Sequence, residues 1–579
     1  PRQVAHAISD AKNKLMGPGL YTDFAANPWE RDVAEVYTEY QNRLTAAAAF
    51  DFDDLIMRVV EIFDKMPGVL EYYQNRFKHV LVDEFQDTNH AQARLMTLLA
   101  GKWRNIFVVG DADQGIYAFR GATIKNLLDF ERDWPDTHLI TLEQNYRSTS
   151  TILNAANAVI ENNVMRKPKT LWTQSMAGEP ITRYHAQNEH DEAAWLADEA
   201  ERLRDENDLQ LSDMAVFYRT NAQSRVLEEI FSQKQLPYRV VGGVGFYERR
   251  EVKDIMAWLR AAMNPQDNVA ISRAAQAPRR GIGDTSLGRV AVFARDQGIG
   301  LSEAFERAEE VPGLPKRAMG GVLEAARLFQ RIRSAAHEGE PVADIIEMTW
   351  VITGYMSDLT ADRTFEALSR QENLQELAGV AREYSESAEE PSLSDFLERI
   401  ALITDTDETQ GEEAGVTFMT LHNAKGLEFP VVFIVGMEEG VFPHIRSLGE
   451  PDQLEEERRL AYVGITRAEQ RLYLLNAWSR SLWGGTNYNP PSRFLKEIPE
   501  DLLRLEEQDQ PQTSPVIARR TKQMPNFKVG QEVMHDKWGR GMILEISRSS
   551  VGLEATINFP EAGGEKRLDL TLAPLKPVP

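Results

Sequence analysis

The 579-residue sequence contains no cysteine. That excludes a disulfide framework, a thiolate metal site and a catalytic thiol. No apolar run approaches the ~20 residues that a membrane-spanning helix needs. The most apolar stretch, Val431 to Gly436, has only the length of a strand. Basic residues are few relative to acidic ones: 65 Lys and Arg stand against 89 Asp and Glu, a formal net charge of −24. Such a chain does not hold nucleic acid by bulk charge, although a local basic groove is compatible with it. Pro1-Arg2-Gln3-Val4 has no initiator Met and no signal-peptide layout, as in a processed, trimmed or excerpted chain. Gly-Lys-Ser and Gly-Lys-Thr are absent, and with them the P-loop. The only Gly-Lys, Gly101-Lys102, precedes Trp103, and Gly17-Pro18-Gly19 lacks the Lys.

The remainder is ordinary for a soluble globular protein of several domains, with 42% apolar and 27% charged residues. Residues 1 to about 76 carry aromatic and apolar residues at helical spacing (Trp29, Val33, Val36, Tyr37, Tyr40). Short apolar runs ending in polar clusters predict strands at Phe77–Leu81, Ile106–Gly110, His138–Leu142, Met214–Tyr218 and Tyr238–Val241, with helices between them. That alternation predicts βαβ units and a parallel sheet. From about 243 to 410 helical patterns dominate. Strand patterns resume at Val416–Leu421, Val431–Gly436 and Arg471–Leu475, so a helical insertion interrupts an α/β sheet. Residues 383 to 413, with eleven acidic residues and only Arg399 basic, read as a solvated segment or linker. Residues 501–526, with Pro511, Pro515 and Pro525, read as a second linker. The β patterns Val529–Met534, Met542–Ser547, Glu554–Phe559 and Lys566–Leu570 then predict a small barrel.

Five blocks carry chemistry. Val80-Leu81-Val82-Asp83-Glu84 is a strand delivering two carboxylates at its end. In a Walker B arrangement Asp83 holds Mg²⁺ through water and Glu84 orients and deprotonates the attacking water. The same run also fits a buried strand ending in a solvated acidic turn. In Gly110-Asp111-Ala112-Asp113-Gln114-Gly115-Ile116-Tyr117-Ala118-Phe119-Arg120, the Gln114 amide is able to sense a γ-phosphate and the attacking water. Tyr117 and Phe119 could stack on unpaired bases or serve as core residues. Gln144-Asn145-Tyr146-Arg147-Ser148 offers a cation, Arg147, and a stacking ring, Tyr146. The last two blocks are Thr420-Leu421-His422-Asn423-Ala424-Lys425-Gly426-Leu427-Glu428 and Tyr462-Val463-Gly464-Ile465-Thr466-Arg467-Ala468.

In this order the five blocks resemble motifs II to VI of superfamily 1 DNA helicases of the UvrD/PcrA/Rep type. The resemblance runs along the whole chain, including a tail similar to the Tudor-like domain that ends UvrD and PcrA proteins. It implies an α/β fold of two RecA-like parallel-sheet lobes, the first incomplete, with a mainly helical insertion and a small C-terminal Tudor/SH3-like β-barrel. The implied division is a partial helical 1B subdomain at 1–76, including Phe50-Asp51-Phe52-Asp53-Asp54-Leu55; the C-terminal part of lobe 1A at 77–136; lobe 2A at 137–242 and 411–500; a helical 2B insertion at 243–410; a linker at 501–526; and the barrel at 527–579. The implied activity is an ATP-dependent 3′–5′ DNA helicase or single-strand translocase of repair or replication, using ATP and Mg²⁺, in the bacterial cytoplasm near the nucleoid.

By the same resemblance, Arg147 and Arg467 face the γ-phosphate as arginine fingers in cis. Tyr146 stacks on the adenine and Glu428 contacts the ribose. Tyr117, Phe119, Arg120 and His422 line the single-strand track, with Phe119 where the family often has Trp. The loop Pro278-Arg279-Arg280-Gly281-Ile282-Gly283 corresponds to one that contacts duplex DNA at junctions, its glycines exposing N–H groups to a phosphate. RNA polymerase is the expected partner of the tail. The tail's Arg519, Arg520, Lys522 and Lys528 could instead contact nucleic acid, and its Val533, Trp538, Ile543, Leu544, Ile546, Ile557 and Phe559 read as a small core. Only 82 residues precede Asp83, too few for the family's motifs I and Ia. The chain therefore reads as a helicase lacking its Walker A portion and inactive alone. The competing reading is a non-catalytic DNA-binding or scaffold protein that has lost its P-loop.

Overall fold

The computed structural model describes residues 2–207, 209–242, 245–362, 364–407, 415–482, 485–506, 531–535, 539–549, 552–559, 564–569 and 575–577. They form two compact units, Pro1–Gln508 and Asp509–Pro579. Among the described residues no helix is long and apolar enough to cross a membrane.

The first unit opens with five helices, Arg2–Asn13, Pro18–Phe24, Pro28–Ala46, Asp54–Lys65 and Pro67–Arg76. Inside them Lys12 is fully buried, 2.6 Å from Asp51 and 3.0 Å from Asp54. Strand β1 (Val80–Val82) then crosses through the helix His90–Ala100 to the parallel strand β2 (Ile106–Val108). One face of this pair, with Val80, Val82, Ile106 and Val108, packs on Phe85, Ala100, Leu127, Phe130 and Trp134. The other face is bare, Leu81 being 73% and Phe107 59% exposed. Two parallel strands with one open face depart from the rule that parallel sheets are covered on both sides.

The second sheet has seven strands, all pairs parallel. Its strands are β3 (Ile181–Ala186), β4 (Met214–Tyr218), β5 (Tyr238–Val240), β6 (Val416–Thr420), β7 (Phe429–Ile434), β8 (Ala468–Ala477) and, after the short hairpin β9 (Arg480–Leu482) and β10 (Gly485–Asn487), β11 (Leu503–Glu506). The order is β11-β3-β8-β7-β4-β6-β5. Helices Ser150–Ile160 and Pro451–Ile465 cover one face, and Glu189–Asn207 and Ser224–Gln233 the other. Such double cover explains the unbroken apolar run of β4, whose five residues are all buried.

Three expectations need correction. Residues 138–142 form no strand; Leu139, Ile140 and Leu142 are exposed, and only Gln144 makes an isolated bridge, to Trp172. The acidic stretch from 383 is helical through Phe365–Ser387 and Leu393–Asp407, and Leu393, Phe396, Leu397 and Ile400 are buried. Residues 503–506 extend the second sheet by pairing with β3, so the expected linker does not begin at 501. The part of that linker from 507 to 526, with Arg519, Arg520 and Lys522, lies outside the described residues, as does Lys528.

The helical insertion, Arg250–Asp407, enters and leaves between the adjacent strands β5 and β6. Its root is an ionic knot. Arg225, on the sheet's helix Ser224–Gln233, is buried and bonds Glu376 at 2.7 Å, Glu229 at 3.1 Å and Glu383 at 3.2 Å. Three carboxylates share one guanidinium, so the most buried of them is short of compensation. Burial pushes Glu376 up to about 7, although Arg225 opposes the shift. Its folded value is above its unfolded one, so its contribution is complete below the ordinary carboxylate range and is lost as pH rises through about 7. Glu376→Gln is therefore expected to flatten the decline of stability between weakly acidic and neutral pH, as read from urea midpoints across that range. An unchanged slope would mean that Glu376 stays ionised.

The second unit is a five-stranded antiparallel sheet of β12 (Glu532–His535), β13 (Gly539–Ser549), β14 (Gly552–Phe559), β15 (Gly564–Asp569) and β16 (Leu575–Pro577), in the order β15-β14-β13-β12-β16. Val533, Ile543 and Ile557 are buried as a small core requires, whereas Leu544 is exposed. The side chains of Trp538, Ile546 and Phe559 lie outside the described residues.

Candidate functional site

The strand ends of the first sheet meet the second sheet's loops. Beyond β1, Asp83 is exposed and accepts the Glu84 N–H at 2.9 Å. Glu84 holds a left-handed conformation, φ 49°, unusual for a residue with a Cβ. Its carboxylate accepts from Gln86 Nε2 at 2.5 Å, and Gln86 Oε1 accepts the Asp111 N–H at 2.9 Å. Gln86 thus ties the ends of β1 and β2 together. At Gly110 a Cβ would come within 2.8 Å of Gln86 Oε1, so a side chain there would displace that amide.

Opposite these carboxylates is Lys425, largely buried, which donates to Asp87 at 2.5 Å and to the Gln114 carbonyl at 2.9 Å and lies 3.5 Å from Glu84. Burial raises Asp87, Lys425 lowers it, and the Glu84 charge adds to the rise. The Gln114 amide is turned onto Asp111 at 2.8 Å. Asp113 is buried against Arg166 at 2.9 Å and Lys169 at 3.3 Å, and Lys169 also bonds Asp111.

Arg147 donates to Glu428 at 2.6 Å and to the Thr466 carbonyl at 3.3 Å. Arg467 donates to the carbonyls of Val463 and Leu427 at 3.1 and 3.2 Å. Burial, reinforced by the Arg147 charge, pulls Arg467 down to about 10. The two guanidiniums share this corner with Glu428 and, at longer range, with Glu469 and Asp111, and two neighbouring cations are the chemistry that a polyphosphate fits. Tyr146 is 82% exposed, as a ring awaiting a stacking partner must be. Among the described residues no three carboxylate or imidazole side chains gather into a group that could hold a metal ion.

The third cluster is aromatic. Tyr117 donates to the His422 carbonyl at 3.4 Å, Phe119 meets the His422 ring edge-on at 5.6 Å, and Arg120 lies over both rings at 5.2 and 5.4 Å. Phe119 is 43% exposed. Burial first, then the Arg219 and Arg120 charges, hold His422 well below the ordinary imidazole value, so the ring is neutral at neutral pH. One segment serves all three clusters: His422 reaches the rings, Lys425 the carboxylates and Glu428 the arginine.

In the insertion, Gly281 takes φ 78° and Gly283 precedes the helix Asp284–Gln297. Arg279 is exposed. Arg280, expected to contact DNA, is engaged internally instead: it lies over Trp258 at 4.7 Å and donates to the carbonyls of Pro278 and Thr353 at 2.9 and 2.5 Å. Sequence reasoning gave no role to Gln86, Asp87, Arg166, Lys169 or Lys425. Lys425 stands three residues after His422, in the same block, but nothing in the sequence places its charge beside the acidic end of β1.

Comparison with known proteins gives three family matches. The UvrD/REP helicase N-terminal domain matches residues 1–135, the UvrD-like helicase C-terminal domain residues 140–478, and the PcrA/UvrD tudor domain residues 529–576. The chain is 46% identical to the ATP-dependent DNA helicase UvrD1 of Mycobacterium tuberculosis, over 98% of this chain and 79% of that protein. It is 43% identical to the ATP-dependent DNA helicase PcrA of Bacillus subtilis, over 100% of this chain and 81% of that one. Against PcrA of Staphylococcus aureus the figures are 44%, 100% and 81%.

Proposed function

Because this chain belongs to the UvrD-like helicase family, we propose that it is the motor body of an ATP-dependent 3′–5′ DNA helicase or single-strand translocase of DNA repair or replication. The observation that carries the reading is the neighbouring pair Arg147 and Arg467, one segment away from the paired carboxylates and the aromatic track. The two sheets act as RecA-like lobes. Arg147 and Arg467 bind the γ-phosphate, Tyr146 stacks on the adenine, and Glu428 exchanges Arg147 for the ribose. Asp83 holds Mg²⁺, which supplies charge neutralisation on the phosphates. Glu84 orients and deprotonates water once Lys425 and Gln86 release it, and Gln114 turns from Asp111 toward the phosphate. Tyr117, Phe119, Arg120 and neutral His422 grip single-stranded DNA, while Arg279 and the N–H groups at Gly281 and Gly283 meet duplex phosphates at a junction.

The phosphate cradle is supplied by a segment carrying the Gly-x-x-x-x-Gly-Lys-Ser/Thr turn, which this sequence lacks. The bare face of β1 and β2, with Leu81 and Phe107, supports that reading, since such a segment adds strands and a cover there. The antiparallel second unit, which matches the PcrA/UvrD tudor domain, serves as a protein-binding module for which RNA polymerase is the partner of choice.

The test separates the two DNA contacts. Phe119→Ala should weaken single-strand binding by ~1–3 kcal/mol and leave duplex binding alone. Arg279→Ala should weaken duplex binding and reduce its salt slope by about one phosphate contact. Fluorescence anisotropy with oligothymidylate and with a hairpin duplex reads both. Equal losses on both substrates would refute the division.

A further inference from the structure

The aromatic turn follows β2 in sequence but is fastened to the second sheet. Ile116 is completely buried in the second sheet's core, in one cluster with Leu460, Tyr462 and Val463. On one side of it, Arg459 Nε donates to the Gly115 carbonyl at 2.9 Å. On the other, Glu456 Oε1 accepts the Ala118 N–H at 3.0 Å. Glu456 and Arg459 stand three residues apart on the helix Pro451–Ile465, hence on one face. The same helix ends two residues before Arg467. Gly115 has no room for a side chain, because a Cβ would come within 2.4 Å of Ile124. The turn is thus held by a plug, a cation and an anion, all from one helix and its core.

From this geometry we infer that Glu456 and Arg459 are positioning residues: they clamp the turn 115–121 so that Tyr117, Phe119 and Arg120 present a fixed face to single-stranded DNA and move with the helix that leads to Arg467. The inference rests on the reading of the turn as the single-strand track. A carboxylate suits the task, since a charged acceptor makes a shorter and stronger bond to a backbone N–H than a neutral one. It is kept from collapsing onto a neighbour because Arg459 is itself engaged with Gly115. Lys425 adds a third hold on the same segment, at the Gln114 carbonyl. A helix transmits displacement without compressing, so a shift of the arginine end carries the aromatic end with it.

The test uses the full 579-residue chain and needs no ATP turnover. Binding to oligothymidylate and to duplex DNA is measured for Glu456→Ala, Glu456→Gln, Phe119→Ala and the double variant Phe119→Ala/Glu456→Ala, with thermal melting as the check on folding. Glu456→Ala is expected to weaken single-strand binding roughly tenfold with duplex binding unmoved. Glu456→Gln, whose amide oxygen still accepts the Ala118 N–H, is expected to recover most of that loss. The double variant should bind about as weakly as Phe119→Ala alone, because a clamp has no value without the ring it presents. Full additivity, no loss in Glu456→Ala, or no recovery in Glu456→Gln would each overturn the clamp. If Phe119→Ala itself changes nothing, the single-strand track fails and the clamp falls with it; if Phe119→Ala weakens binding and Glu456→Ala does not, the clamp alone fails.

Discussion

The 579-residue chain is expected to release phosphate from ATP no faster than a no-enzyme control, with or without single-stranded DNA. On the proposed reading Arg147 and Arg467 would meet only the far end of a triphosphate, and Asp83 would be one ligand of a cation that needs several. Nothing in the sequence supplies the Gly-x-x-x-x-Gly-Lys-Ser/Thr cradle that holds the β- and γ-phosphates in line with attacking water. Loss of such positioning alone removes about 7–11 kcal/mol of rate enhancement. Joining the chain to a family segment that carries this turn should restore DNA-stimulated hydrolysis. In the joined protein Glu84→Gln should bind nucleotide and turn it over about 10²–10⁴-fold more slowly. Brisk hydrolysis by the unjoined chain would show that the cradle is dispensable. Near-normal turnover in Glu84→Gln would move the general base elsewhere.

The largest stability loss is expected at Arg480. Its guanidinium, buried at the start of β9 just beyond β8, bonds Glu192 at 2.6 Å and Glu438 at 2.7 Å. Glu438 also accepts the Ala477 N–H at 2.8 Å, and Glu192 the Gly436 N–H at 3.0 Å. One cation therefore joins the ends of β7 and β8 to the helix Glu189–Asn207. Arg480→Met leaves two carboxylates buried together and should cost about 3–5 kcal/mol. Burial already raises Glu192 above its ordinary value, with Arg480 opposing the rise. Removing Arg480 lifts it further, so the folded variant gains protons. Its deficit should be greatest at alkaline pH and shrink as pH falls toward the carboxylate range. Urea midpoints across pH read this directly. Arg504→Met, at an exposed pair with Glu506, should change stability by less than about 1 kcal/mol. Similar small losses at both positions would mean that Arg480 is not what holds the strand ends.

The sequence spoke most clearly where one physical demand dominated. Strand β4 could be read because a strand covered on both faces must be apolar throughout. Strand β3 escaped notice because Thr182, Arg183 and His185 interrupt its apolar pattern, although Ile181, Tyr184 and Ala186 are buried. At 138–142 the β-prone residues are present but nothing pairs with them, and propensity does not create a partner strand. At 393–400 a high count of acidic residues masked Leu393, Phe396, Leu397 and Ile400, whose spacing is that of a buried helical stripe. In the site, the residue types that the chemistry needs were legible in their blocks. Their neutralising partners were not, because Lys425 and Asp87 are 338 residues apart. Arg280 was misjudged because charge in a sequence does not tell which way a side chain turns.

The seating of Ile116 also has a consequence for how the protein is made. The Glu456 and Arg459 contacts on either side of it come from chain 338 and 344 residues further on. At about 5–20 residues per second of synthesis, the turn waits roughly 20–70 s outside the ribosome before its socket exists. During that interval the β1–β2 unit has emerged with an unplugged isoleucine. The late-made helix at 451–465 is thus the part that closes the early-made one, and a ribosome-bound nascent chain ending before it should remain sensitive to protease at residues 115–121.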